Sequence, residues 1–207
     1  MGKAKGFKAF AIGLAALAGL TSTAQAQGAL PAASLGAAPV GEARPIAAWV
    51  EFCQSYGAEC ALNRAEPARI ALSARTWAMI QLVNRRVNLS LHAVTDQDHW
   101  GRPDRWDLAE DRMGDCEDFQ LLKRRALAEA GLPRRAMRMT VVIDEKGEGH
   151  AVLTLITDRG DFILDNKTDA VTAWHETGYT FIKRESQDAV SWVSLGGVTS
   201  PIVTANR

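Results

Sequence analysis

This chain of 207 residues lacks several things that would place it quickly. It has only three cysteines. That is too few for a disulfide scaffold and too few for an all-cysteine zinc site with four ligands. It has no excess of either charge, with 24 Lys+Arg against 24 Asp+Glu. The balance argues against a basic nucleic-acid binder. No apolar run reaches the roughly 20 residues that a membrane-crossing helix needs. There is no H-E-x-x-H zinc motif, no internal repeat and no collagen-like period. With 47% apolar and 23% charged residues, the composition is that of a globular protein with room for a core.

The chain is not uniform. Residues 1–26 carry Lys3, Lys5 and Lys8 and no acid, then a short apolar run from Ala9 to Leu20, then Ala24-Gln25-Ala26. A basic start, an apolar middle and an A-x-A end form a secretory signal peptide, with cleavage expected after Ala26. Removing it leaves residues 27–207, with three more acids than bases and no membrane span. Residues 27–45, rich in Ala, Gly and Pro, read as a flexible lead-in. One domain is expected over 46–192, and a loose tail over 193–207.

Export changes the reading of the cysteines. Cys53 and Cys60 lie seven positions apart. In an oxidising compartment a local disulfide is the favoured reading, two free thiols the alternative. Residues 67–91 read as a helix with Pro67 in its first turn, and with Ile70, Trp77, Ile80, Val83 or Asn84, and Val87 at helical spacing. Residues 92–114 read as a long polar loop. A second helix is expected from Cys116, with Phe119, Leu122, Ala126 and Ala130 on its buried face and Gly131-Leu132-Pro133 as its stop. Strands follow at Met137–Asp144, His150–Thr157, Phe162–Asp165 and Tyr179–Arg184. Helices first and an antiparallel meander after them make an α+β domain.

Cys116 is the leading candidate for chemistry. It is the odd cysteine of an exported chain, and it sits where a polar loop becomes a helix. The helix dipole there favours a thiolate, which is the nucleophilic form. A buried, inert thiol is the alternative. His150 opens one strand and Asp165 closes the next, so a hairpin brings them to the same end. An acid orienting an imidazole beside a thiolate is the arrangement that nucleophilic catalysis requires. The acids flanking the cysteine oppose this, because like charges disfavour the thiolate. Asp115 and Asp118 suit a helix cap, and a bound cation would reverse the balance. Asp96, Asp98 and Asp104 are further oxygen donors. Asp96-Gln97-Asp98-His99-Trp100-Gly101 starts like an EF-hand loop but has Trp100 at position five and Asp107 at position twelve, so it is not one. The Cys116 N–H is a natural oxyanion donor, with a second expected from the 96–106 loop. Trp100, Trp106 and Trp174 suit either a cleft or the core, with core favoured for at least two.

Three ordered stretches resemble a family. Gly114-Asp115-Cys116-Glu117-Asp118-Phe119, Gly149-His150-Ala151-Val152-Leu153 and Leu164-Asp165-Asn166 are similar to motifs of the bacterial transglutaminase-like cysteine peptidases, the group that includes LapG-type periplasmic proteases. Trp100-Gly101 and Asp104-Arg105-Trp106 also match, and the likeness spans residues 46–192. The resemblance implies a papain-like or transglutaminase-like fold, with the cysteine at a helix N-terminus packed on an antiparallel sheet. It implies a catalytic triad of Cys116, His150 and Asp165, a thioester intermediate, and calcium held by Asp115 and Glu117. It further implies a periplasmic endopeptidase cutting a large surface adhesin under an inner-membrane cyclic di-GMP receptor. Acyl transfer to an amine and a silent calcium-dependent binding module remain alternatives, since the residues themselves do not separate them.

Overall fold

The computed structural model describes residues 1–2 and 29–199. The signal peptide expected over 1–26, beyond its first two residues, and the last part of the tail lie outside the described residues.

The helices are α1 (Ala47–Ser55), α2 (Gly57–Cys60), α3 (Ala74–Ser90), α4 (Asp96–Trp100) and α5 (Cys116–Glu129). The strands are β1 (Gly41–Ala43), β2 (His92–Ala93), β3 (Met113–Gly114), β4 (Met137–Ile143), β5 (Gly149–Thr157), β6 (Gly160–Leu164), β7 (Thr172–Ala173), β8 (Thr180–Glu185) and β9 (Trp192–Thr199). Seven strands form one antiparallel sheet in the order β1-β9-β8-β4-β5-β6-β7, while β2 and β3 make a small parallel pair. The expected α+β meander is therefore present, with strand ends close to those read from the sequence.

Strand alternation divides the core in two. One face carries Met137, Met139, Leu153, Leu155, Phe162 and Leu164, which pack with Trp49, Phe52, Trp77, Ile80, Leu121 and Leu127 of the helices. The other carries Val142, Val152, Ile163, Phe181 and Leu195 with Tyr179. The helix α3 buries Trp77, Ile80, Asn84 and Val87, which is the expected period. It begins later than expected: Ser73 caps it by accepting from the Thr76 N–H at 3.1 Å. Ile70, expected on that helix, instead bridges to Thr157 on the sheet. Pro67 is thus outside the helix.

The phase of α5 also differs from expectation. Phe119, Leu121 and Leu127 are buried together with Glu117, Asp118, Gln120, Lys123 and Arg124, whereas Ala130 is exposed and Leu122 and Ala126 are half-buried. A helix pressed between a sheet and the α3 helix is covered on more than one stripe, so apolar spacing alone misplaces its inner face. The stop is as expected. Gly131 takes φ 93°, the left-handed region that favours glycine, and the Leu132 N–H reaches back to Leu127 O at 3.0 Å.

Two segments read as loose are bound to the sheet. The lead-in is held by Ser34 N–H to Arg159 O at 2.9 Å and Ala37 N–H to Asp161 Oδ2 at 3.0 Å, and then pairs as β1 with β9. The tail residues through Thr199 form β9 itself, lying between β1 and β8. Small residues and weak periodicity hide β1, which backbone pairing holds, whereas β9 is also anchored by its buried Trp192 and Leu195. Cys53 and Cys60 form the local disulfide, Cα–Cα 5.5 Å. Glu59 beside it pairs with Arg125 at 3.0 Å and with Arg134, tying this loop to α5 and to the turn before β4.

Candidate active site

The strand β6 separates from β5 after Leu164, the last residue paired, opposite Leu153. This leaves the start of β5 without a partner on that side. The N-terminus of α5 occupies the gap, and the Ala151 N–H donates to Cys116 Sγ at 3.4 Å. Extending the β5–β6 register puts Asp165 opposite Val152, on the same face as His150. The imidazole Nε2 of His150 lies 2.9 Å from Asp165 Oδ1. That bond commits Nε2 to the acid and leaves Nδ1 as the nitrogen for proton exchange. Asp165 Oδ1 also accepts from the Lys167 N–H at 3.0 Å, and its Oδ2 accepts from the Tyr179 hydroxyl at 2.7 Å. Burial pushes the Asp165 carboxyl up, but His150, Lys167 N–H and Tyr179 together hold it below the ordinary range.

Cys116 and His150 share a cavity of about 200 Å³, lined also by Ile46, Asp104, Trp106 and Ala151. Of the three tryptophans in question, only Trp106 is buried, and it serves both the core and this cavity. Trp100 is exposed and stacks under Arg105, and Trp174 packs half-buried on the other face of the sheet. The expectation that at least two of them are core is met only by Trp106. His92, His99 and His175 lie away from the cavity lining.

The acids next to the cysteine build the loop that covers it. Asp115 precedes the first helical residue in extended backbone, and its N–H donates to Asp118 Oδ2 at 3.3 Å. Asp118 Oδ1 accepts from the Asp107 N–H at 2.8 Å, and Asp115 Oδ2 accepts from the Asp96 N–H at 3.2 Å. Asp96 Oδ2 accepts from the Arg105 N–H. Residues 96–107 are thereby folded onto the helix N-terminus. Gly114 permits this, since a Cβ there would lie 2.5 Å from Asp118 Oδ2. The EF-hand-like stretch is α4, with Thr95 as its cap, so it holds no ion as a loop.

Three overlapping groups each bring their ligand atoms within 4.8 Å of one another: Asp115, Cys116 and Glu117; Asp96, Asp104 and Glu117; Asp96, Asp115 and Asp118. Asp98 is in none of them; it is exposed and bonded to Thr95. Asp118 was legible only as a capping residue, and its place in the cluster comes from the return of the 96–107 segment. The cluster is short of positive charge. Burial and neighbouring carboxylates raise Asp96 to about 6 and Asp118 to about 8, and raise Asp104 and Glu117 as well. Asp96 Oδ1 and Asp115 Oδ1 are buried without a hydrogen-bond partner. Cys116 donates to Glu117 Oε2 at 3.1 Å, and burial followed by the Glu117 charge pushes its thiol well up. Carboxylate oxygens gathered at this spacing, two of them unpartnered, are a donor set that fits calcium.

Lys123 of α5 is fully buried and its Nζ has no hydrogen-bond partner. Burial lowers it to about 7, against the opposing pull of Asp165 and Asp169. The folded value lies below the unfolded one. The unfolded chain therefore binds the extra proton between about pH 7 and 10.5, and stability rises with pH across that window. Lys123→Met should therefore stabilise the protein by about 1–4 kcal/mol at pH 6 and by much less at pH 10. Melting curves at the two pH values check this, and an equal gain at both would contradict it.

The comparisons with known proteins agree with this architecture. A family model described as bacterial transglutaminase-like cysteine proteinase BTLCP matches residues 40–200. Calcium-bound LapG of Legionella pneumophila superposes with a TM-score of 0.50 at 20% identity, over 63% of this chain and 74% of that one. A second LapG structure from the same organism gives a TM-score of 0.49 at 21% identity, over 60% and 70%. No curated protein sequence matches. The calcium-bound LapG structure is similar in fold, while the family match spans most of the chain and includes Cys116, His150 and Asp165. The chain therefore belongs to the bacterial transglutaminase-like cysteine proteinases and is a cysteine peptidase.

Proposed function

We propose that this peptidase is exported to the periplasm and cuts a protein substrate through Cys116, His150 and Asp165, with calcium held among Asp96, Asp104, Asp115, Glu117 and Asp118. The observation that carries this reading is the His150–Asp165 contact of 2.9 Å beside a cavity shared by His150 and Cys116. The Cys53–Cys60 disulfide supports an oxidising compartment.

In the first half-reaction Cys116 Sγ gives its proton to His150 and bonds to the scissile carbonyl carbon. His150 then returns the proton to the leaving amine as the C–N bond breaks, which leaves a thioester. In the second half-reaction water adds to the thioester with its proton taken by His150. The carboxylic product leaves and the thiol re-forms. Asp165 keeps the imidazole oriented and offsets its charge throughout. Calcium, when bound, supplies the positive charge that the acidic cluster lacks. In its absence Glu117 competes with His150 for the thiol proton.

The resemblance to LapG-type proteases supports a large surface adhesin as substrate and an inner-membrane cyclic di-GMP receptor as regulator. The test is incubation of an adhesin fragment with the calcium-loaded protein and an excess of a dansylated primary amine. Mass spectrometry should find two fragments with new ordinary termini and no dansyl label. Amine attached to the new carboxyl end would assign acyl transfer instead.

A further inference from the structure

We infer that Tyr179 is a positioning residue for the triad, holding Asp165 in the one orientation that aligns His150 with Cys116. The inference rests on the proposed triad and extends it to a residue that the three motifs do not contain.

The observations are geometric. Asp165 follows directly after β6, beyond the last pair with β5, so the sheet itself does not restrain its side chain. On its outer side lies a cavity of about 130 Å³, lined by Thr168, Thr172, Glu176, Thr177 and Tyr179 along with Asp165. A carboxylate at the edge of a polar cavity can turn into it and take water as a partner. The Tyr179 hydroxyl stands against that turn, donating to Oδ2 at 2.7 Å. Oδ1 is left facing His150 Nε2 and the Lys167 N–H. The same tyrosine packs its ring against the imidazole, with centroids 5.9 Å apart at 81°. It therefore restrains both members of the pair, one by a hydrogen bond and one by an edge-to-face contact. Tyr179 is itself buried, set at the entrance to β8 within the apolar cluster of Val142, Val152, Ile163 and Phe181.

Tyr179→Phe keeps the ring and removes only the hydroxyl. The readout is the rate at which iodoacetamide alkylates Cys116 in the calcium-loaded mature protein at neutral pH, which needs no substrate. His150→Ala serves as the reference, and Asp165→Asn provides a second background. Tyr179→Phe should slow alkylation roughly three- to tenfold, the range for a hydrogen bond to a charged group acting through a neighbour. In the Asp165→Asn background the same change should have almost no effect, because its partner is gone. A wild-type rate in Tyr179→Phe would overturn the inference. So would an equal slowing in both backgrounds, which marks a packing role. If His150→Ala itself alkylates at the wild-type rate, the triad reading fails instead, and the two failures are thus distinguishable.

Discussion

Cys116→Ala should abolish peptide-bond cleavage, lowering kcat/KM by about 10⁴-fold or more, as expected when the nucleophile of a covalent mechanism is removed. Folding should survive. Sγ accepts one hydrogen bond, from the Ala151 N–H, and donates one, to Glu117. Its removal also takes a group of raised pKa away from the Glu117 and Asp115 carboxylates. The melting temperature should therefore stay within a few degrees of the parent or rise. Iodoacetamide labelling should vanish completely in this variant, because Cys53 and Cys60 are bonded to each other. His150→Ala should be nearly as severe and Asp165→Asn less so. The double variant Cys116→Ala, His150→Ala should be no worse than the first alone, since residues acting as a unit do not lose activity additively. Cleavage or labelling that persists in Cys116→Ala would remove the nucleophile assignment.

Calcium withdrawal should have the second large effect. EGTA should stop cleavage, calcium should restore it, and magnesium should not, because the smaller ion holds its water and demands a stricter octahedron. Alkylation of Cys116 should slow in parallel, since burial and the uncompensated Glu117 charge both hold the thiol protonated. The pH dependence has a definite sign. In the ion-free protein Asp96 titrates near 6 and Asp118 near 8, both raised above the ordinary value of 3.8. Between about pH 4 and 8 the folded state then binds more protons than the unfolded chain, and stability falls as pH rises through the two folded values. Melting temperatures in EGTA should drop from pH 5 to pH 7, before the opposing titration of Lys123 sets in. Saturating calcium should flatten or reverse the trend, adding about 4 kcal/mol at a thousandfold excess over Kd. Affinity should tighten over the same range, because protons compete for the ligands. Asp115→Asn and Glu117→Gln should weaken the response to calcium without altering the disulfide loop. Full activity in EGTA, or identical melting profiles with and without calcium, would exclude the metal.

Much of this was legible without coordinates. The strands β4, β5, β6 and β8 were readable because alternation and turn residues mark them within a residue or two. The juxtaposition of His150 and Asp165 followed from hairpin geometry, which depends only on turn position. Cys116 stood out by elimination once two of three cysteines had each other. The lead-in was not readable as a strand because its small residues give no side-chain signal for edge pairing, and the tail because its weak periodicity does not show that it pairs between β1 and β8. The start of α3 was misjudged because Pro67 and Ile70 are compatible with a helix locally, and only the bridge of Ile70 to Thr157 decides against it.

The chain by itself thus determined the chemical inventory and its local placement: a thiol at a helix start, an imidazole and an acid at one end of a hairpin. Local hydrogen bonding and side-chain period are properties of neighbours in sequence, so they are written there. Which acids surround the thiol, and what restrains Asp165, depended on the tertiary structure. Asp96 and Asp104 lie 20 and 12 residues before Cys116, and Tyr179 lies 14 after Asp165. They meet only because the 96–107 segment folds back on α5 and β8 crosses beside β4. No spacing rule encodes such contacts, because they are set by packing across the whole sheet.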